Sequence, residues 1–247
     1  MKKSLLLVVL SVFLLGFGLS AVAAQDIIPL EFDTYVEGEI TESAFEVFYT
    51  FTGKAGDLVM IEIFNKPGTY DLSPSVVLRD AVGRELAKVE TYFAGVAVAE
   101  LTADGNYTVV ATRYDGADGT STGPYWMRAR VVEPLGVGAK VEASLMSDSE
   151  KRLPQFFVLK PEATGAVKLS MTQTLGGLYG GLRVVDPNPP EDTFMSEITL
   201  LEIRETAGVS SASFTLELEG GKYYILQVLD ESYVYDVPDA TVTITVS

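Results

Sequence analysis

The sequence predicts an all-β protein, two tandem antiparallel β-sandwich domains behind an N-terminal export signal, and three observations carry that prediction. Runs of alternating β-branched and aromatic residues recur along nearly the whole chain, and no window has the 3.6-residue period of an amphipathic helix. Turns rich in glycine separate those runs at sandwich spacing. The order of runs and turns in residues 25–133 then returns in residues 134–247.

Residues 1–24 carry Lys2 and Lys3, an apolar stretch from Leu5 to Leu15, a softer Gly16 to Ser20, and Ala21-Val22-Ala23-Ala24. Charge, apolar run and small-residue exit in that order read as a signal peptide, cleaved after Ala23 or Ala24. The apolar run is short of the roughly 20 residues that span a bilayer, which argues against a retained anchor. Nothing later in the sequence is long and apolar enough to cross, so no stable transmembrane segment is expected in the mature chain. The expected location is secreted, extracellular or in the cell envelope, the periplasm included.

The formal charge is −16, from 18 basic and 34 acidic residues; losing Lys2 and Lys3 leaves 16 basic residues and a charge of −18. That excess repels phosphate backbones, so no nucleic-acid partner is expected. Histidine and cysteine are both absent. Ser-His-Asp and Cys-His nucleophile systems therefore cannot be assembled, and the nitrogen and sulfur ligands of zinc are missing. Carboxylates, hydroxyls, lysines and backbone remain, an inventory suited to hard cations or to two-carboxylate glycoside hydrolysis.

The strand pattern is clear in the first domain. Glu46 to Phe51 and Asp57 to Phe64 flank a turn containing Gly53 and Gly56; in the second run Val59, Ile61 and Ile63 share the face expected to meet the core, and Met60 and Glu62 share the other. Ser75 to Asp80, Arg84 to Val89, Val96 to Leu101, Asn106 to Arg113, Tyr125 to Val132 and Tyr35 to Ile40 bring the set to eight. Glu133-Pro134-Leu135-Gly136-Val137-Gly138 interrupts the pattern and marks the domain boundary. Val36 to Ile40 then matches Val141 to Leu145, Val59 to Ile63 matches Val167 to Met171, and Val76 to Asp80 matches Leu182 to Asp186. Asp104 to Val109 is matched with Gly220 to Ile225, the longer offset being assigned to an insertion around Asn188 to Asp192.

Gly38, Tyr49 to Phe51, Ala55-Gly56-Asp57, Asp71-Leu72-Ser73-Pro74, Val76 to Asp80, Gly83 to Ala87 and Ala103 to Val109 follow one another in an order that resembles the bacterial pre-peptidase C-terminal domain. The resemblance covers most of residues 30–132. Residues 134–247 follow it less closely: Ala163 to Ala166 replaces the Ala-Gly-Asp turn, and Gly180-Gly181 stands where the first domain has Pro74-Ser75. The resemblance implies a jelly-roll-like β-sandwich, found appended to exported enzymes, that aids secretion or binds surfaces and in some members binds calcium. No protease domain is expected beside it here.

Tyr107 and Tyr223, each two residues after a glycine, are expected to form tyrosine corners, with the ring buried and the hydroxyl tied to backbone. Asp115 and Asp118, in a glycine-rich loop, are candidate Ca²⁺ ligands, with Asp71 and Asp80 as further candidates; a plain solvated hairpin loop is the other reading of the same residues. Tyr233 and Tyr235, with Asp230 and Glu231, form a candidate ligand-binding loop, since rings stack on sugar faces and carboxylates accept hydroxyl protons; a polar loop with half-buried tyrosines competes with it. Trp126, alternating with Met127, is expected in the core. No pair of acids stands out as catalytic. The function expected is therefore non-enzymatic: a secreted binding or structural module in contact with an extracellular protein or polysaccharide. A lectin-like or carbohydrate-active protein using the acidic and aromatic loops is the alternative, and a hydrolase working through carboxylates alone is the third.

Overall fold

The computed structural model describes residues 27–146, 153–174, 180–187, 197–202, 211–230 and 239–247. The expected signal segment and the insertion expected around Asn188 to Asp192 lie outside them. The described residues form an all-β structure in four sheets, without a helix.

The first part of the chain supplies β1 (Ile27–Pro29), β2 (Val36–Ile40), β3 (Glu46–Gly53), β4 (Leu58–Asn65), β5 (Pro74–Arg79), β6 (Glu85–Glu90), β7 (Ala94–Glu100), β8 (Gly105–Arg113) and β9 (Gly123–Val131). They form one sheet ordered β1-β3-β8-β5-β6 and another ordered β2-β9-β4-β7. Alternation aims Tyr49, Phe51, Val76, Leu78 and Val109 from the first sheet at Ile40, Val59, Ile61, Ile63, Tyr125 and Met127 from the second. That sheet-on-sheet core is a β-sandwich. Strand β1 has no counterpart among the runs expected from sequence. It lies parallel to β3, pairing Ile27 with Phe48, and its three residues are exposed.

The rest of the chain supplies β10 (Lys140–Leu145), β11 (Gln155–Leu159), β12 (Gly165–Gln173), β13 (Gly180–Val185), β14 (Glu197–Glu202), β15 (Ser211–Leu218), β16 (Tyr224–Asp230) and β17 (Ala240–Val246). Their sheets are ordered β11-β16-β13-β14 and β10-β17-β12-β15, which reproduces the order of β2 to β9 element for element. A second core of Leu159, Leu169, Met171, Leu182, Leu226 and Ile244 lies between them.

Equivalent residues can be read from the ladders. Val59, Ile61 and Ile63 correspond to Val167, Leu169 and Met171, and Val76 and Leu78 to Leu182 and Val184, as the sequence matching has them. The later match is displaced by one residue. Phe51 pairs with Tyr107 and Leu159 with Tyr224, so Tyr224, not Tyr223, is the partner of Tyr107. Because a strand alternates faces, that single step separates a core ring from an outward one.

The segment between β9 and β10 is tied down at both ends. Val132 N–H donates to Leu58 O at 2.9 Å, and Leu135 lies parallel to Leu159, its N–H on Val158 O at 2.7 Å. Leu30 makes the same approach to the edge of β3, with its N–H on Thr50 O at 2.8 Å.

Outer faces of the β2-β9-β4-β7 and β11-β16-β13-β14 sheets meet. Leu58, Met60, Phe64, Val96 and Val98 pack with Phe156, Val158 and Ile225, so β4 is buried on both faces. Trp126 is on this outer face, half-buried beside Tyr35 at 6.1 Å between ring centroids, rather than in the core. Tyr125 and Met127 hold the core face of β9.

Candidate functional site

Two regions gather side chains capable of contact chemistry, and they sit at opposite ends of the first sandwich. The connections β4–β5, β6–β7 and β8–β9 share one end, held together by backbone bonds: Thr91 N–H to Pro74 O at 3.0 Å, Tyr114 N–H to Ser73 O at 2.8 Å and Lys66 N–H to Pro124 O at 3.1 Å. This end carries three exposed rings. Tyr70 is 72 % exposed, Phe93 58 % and Tyr92 50 %. Tyr70 and Phe93 stand edge to face, 6.0 Å apart and 79° inclined, and Tyr92 is 6.5 Å from Phe93 at 51°.

The loop bearing Tyr92 and Phe93 is braced from beneath. Buried Asn65 donates its backbone N–H to Phe93 O at 2.8 Å and its Nδ2 to Tyr92 O at 3.3 Å, and Thr91 Oγ1 donates to Ala94 O at 2.9 Å. Asn65 Oδ1 has no hydrogen-bond partner among the described residues. The rings are thus presented on fixed backbone, which spares a ligand the entropy of ordering them. Nearby, Tyr114 has its hydroxyl pKa raised, first by the Asp115 carboxylate and then by burial, with smaller contributions from Glu90 and Tyr92.

The carboxylates proposed as calcium ligands divide between the two ends. Asp71 is exposed in the β4–β5 connection, bonded to the β8–β9 loop through Ser73 N–H and Ser121 Oγ at 3.1 Å. Asp115 and Asp118 are exposed in that loop. Asp115 is in the left-handed region (φ 59°), and its carbonyl, which a cation loop would present, accepts the N–H groups of Asp118 and Gly119. Asp80 lies beyond the far end of β5, whose six residues at roughly 3.3 Å each separate it from Asp71, so the two cannot share an ion. There Asp80 Oδ1 accepts the N–H groups of Val82 and Arg84, and Oδ2 accepts Arg84 Nε at 3.0 Å. Partial desolvation opposes ionisation, but these bonds and the Arg84 charge hold the carboxyl below its ordinary value. Among the described residues no three acidic side chains are grouped to hold a metal ion.

Of the second candidate loop, Tyr233, Tyr235 and Glu231 lie outside the described residues. Asp230 ends β16, half-buried opposite Gly180.

The other region is the junction of the two sandwiches. A cleft of about 250 Å³ there is lined by Gly56, Asp57, Glu100, Glu133, Lys160 and Tyr223, among others. Lys160 Nζ donates to the Tyr223 hydroxyl at 2.9 Å, which donates to Glu100 Oε2 at 2.7 Å, and the ammonium stands 4.4 Å from the Tyr223 ring centre. Burial raises the Tyr223 pKa, with Lys160 opposing and Glu100 adding to the effect. Hydrogen bonding to Tyr223 raises that of Lys160. Neither group is tuned towards a free base at neutral pH, and each satisfies the other. This arrangement suits a clip between the units.

Deeper in the junction the Glu62 side chain, 1 % exposed, accepts Arg128 Nε and Nη2 on Oε2 at 2.9 and 2.6 Å, with Arg130 Nη2 2.9 Å from Oε1. Arg130 Nη2 also reaches Phe156 O across the junction at 3.0 Å. Burial pushes the Glu62 pKa up in spite of both guanidiniums.

Tyrosine-corner chemistry is present at Tyr107, which is buried and donates to Ala103 O at 2.7 Å. In the second unit the buried ring is Tyr224, whose hydroxyl accepts Glu219 N–H at 2.9 Å, so Tyr223 is corrected from corner to junction clip. Sequence reasoning passed over Tyr70, Tyr92 and Phe93. Their signal was aromatic residues inside turn segments, next to Gly68 and Gly95, where no core position calls for a ring.

No protein-family model and no curated protein matches the chain. Among solved structures, the extracellular domain of ANXUR2 from Arabidopsis thaliana is 8 % identical over 85 % of this chain and 83 % of that one, with a TM-score of 0.27. PNGase F, a glycosylasparaginase from Flavobacterium meningosepticum, is 9 % identical over 86 % and 96 %, with a TM-score of 0.23. Superpositions that loose carry no argument about this chain, and its site is interpreted from its own residues.

Proposed function

We propose that the chain is a secreted, non-catalytic binding protein of the cell envelope or extracellular space, which contacts an extracellular partner through the aromatic end of its first sandwich. One observation carries the reading: three large, well-exposed rings stand together at one end, Tyr70 on the β4–β5 connection beside Tyr92 and Phe93 on a loop whose backbone buried Asn65 holds in place. Exposed apolar clusters on pre-ordered backbone suit contact surfaces. The Lys-Tyr-Glu clip and the salt-bridged Glu62 cluster are explained by holding the units together, which leaves them no further task. The order of motifs in residues 30–132 supports placing the chain beside the pre-peptidase C-terminal domain. Several of those motifs make architecture here: Ala55 N–H donates to Asp104 Oδ1 at 2.8 Å, joining the Ala-Gly-Asp turn to the Ala-Asp-Gly turn.

The test is co-sedimentation of the mature protein with envelope and extracellular-polymer fractions of the producing cell. Saturable retention is expected, lost in a Tyr70→Ala, Tyr92→Ala, Phe93→Ala triple variant and kept in Val82→Ser, which removes an exposed apolar side chain from the opposite end. Retention of the triple variant at the wild-type level, with both proteins folded, would overturn the proposal.

A further inference from the structure

The three rings differ in direction, and direction restricts what they can hold. A flat crystalline polysaccharide face needs coplanar rings, so that neighbouring chains are touched together. Here Tyr70 and Phe93 are inclined by 79° and Tyr92 and Phe93 by 51°, so no plane touches all three faces. Asn65 and Thr91 hold the backbone from which Tyr92 and Phe93 project. A single flexible chain can instead turn from one ring to the next. The C–H face of a pyranose stacks on an aromatic face, while its hydroxyls need acceptors at the rim. Acceptors of that kind are carried by the loops of this end, in the Tyr70 phenol and the exposed carboxylates of Asp71 and Asp115. The same carboxylates, on a chain of formal charge −16, repel a polyanion. Lys66 and Lys88, the lysines near these loops, are paired with Glu37 and Glu90.

We propose that the corner formed by Tyr70, Phe93 and Tyr92 binds a single, uncharged glycan chain and discriminates against crystalline and acidic polysaccharides. This rests on the contact function proposed above and names the ligand class of that site. The tests are affinity electrophoresis and calorimetry of the mature protein with soluble neutral glucans, mannans and xylans, alongside pull-down on crystalline cellulose and chitin and electrophoresis in polygalacturonate. At least one soluble neutral glycan is expected to bind, with Tyr70→Ala and Phe93→Ala each weakening it about tenfold or more and Tyr70→Phe by no more than about threefold. Binding confined to crystalline polymer or to polygalacturonate would overturn the assignment, as would glycan binding unaffected by the ring variants. Ring-dependent retention on envelope fractions without binding to any glycan would overturn the glycan assignment and leave the contact function standing. Failure of both measurements would remove both.

Discussion

The corner that the sequence assigns to Tyr223 is made by Tyr224, and Tyr223 has a different job. Tyr224 packs in the second core, and Tyr223 faces Glu100 of the first sandwich. Tyr107→Phe and Tyr224→Phe are each expected to lower unfolding free energy by about 1 kcal/mol, measured in denaturant, because each hydroxyl satisfies a backbone group near the protein surface. The buried Tyr49 and Tyr125 hydroxyls, 2.8 Å apart between the two sheets, make a sharper case. Burial and its hydrogen bond to Tyr49 push the Tyr125 hydroxyl far above the ordinary tyrosine value, so both remain protonated. Removing one hydroxyl leaves the other without its partner. Tyr49→Phe should therefore destabilise by about 1–3 kcal/mol, while the Tyr49→Phe, Tyr125→Phe double variant is no less stable than either single variant. Additive losses would show that the pair is not coupled. Gly38 belongs to the same arrangement, since a Cβ there would stand 2.3 Å from the Tyr125 hydroxyl. Its place in β2 was legible in sequence; the ring it makes room for was not.

At the scale of elements, alternation along β4 was read correctly, but alternation cannot say what the second face meets. Met60 and Glu62 do lie opposite Val59, Ile61 and Ile63, and another sheet covers them. Strand β5 shows the converse: Asp71 and Asp80 are both further candidate Ca²⁺ ligands by sequence, and the length of the strand keeps them from serving one ion. Asp80 instead staples the β5–β6 hairpin, with its carboxyl held below the ordinary value. A depressed carboxyl contributes stability above its unfolded-state pKa and loses it as pH falls through the folded value. Asp80→Asn is thus expected to melt below wild type at neutral pH, with the gap closing in acid below the ordinary value of 3.8. A gap that persists unchanged would assign the effect to shape alone. The short strand β1 was invisible because three residues offer too little pattern to read, and its place is set by parallel pairing to β3.

For the molecule as a whole, the junction decides whether two sandwiches behave as one. Phe156 lies 5.9 Å from Phe64 across it, within a shared apolar cluster. A single calorimetric transition is expected for the mature protein, and Phe156→Asp, which places a charge in that cluster, should split it into two. Two transitions in the wild type would show that the junction does not couple the units. Glu62 adds a pH dependence of the opposite sign to that of Asp80. Its folded pKa is raised above the ordinary 4.5, so the stability it contributes is fully present below that value and is lost as pH rises through the folded one. Glu62→Gln should remove this component, so that the wild type gains stability relative to the variant as acid is added.

The all-β class, strands β2 to β9 and the core face of β4 can be read along the chain, because alternation and turn residues are local properties. Charge and the absence of imidazole and thiol likewise restricted the available chemistry without reference to any contact. Which tyrosine turns inward, and which exposed rings stand beside one another, came from the three-dimensional fold. Those depend on register and on sheet-to-sheet packing, where a displacement of one residue exchanges the buried face for the exposed one.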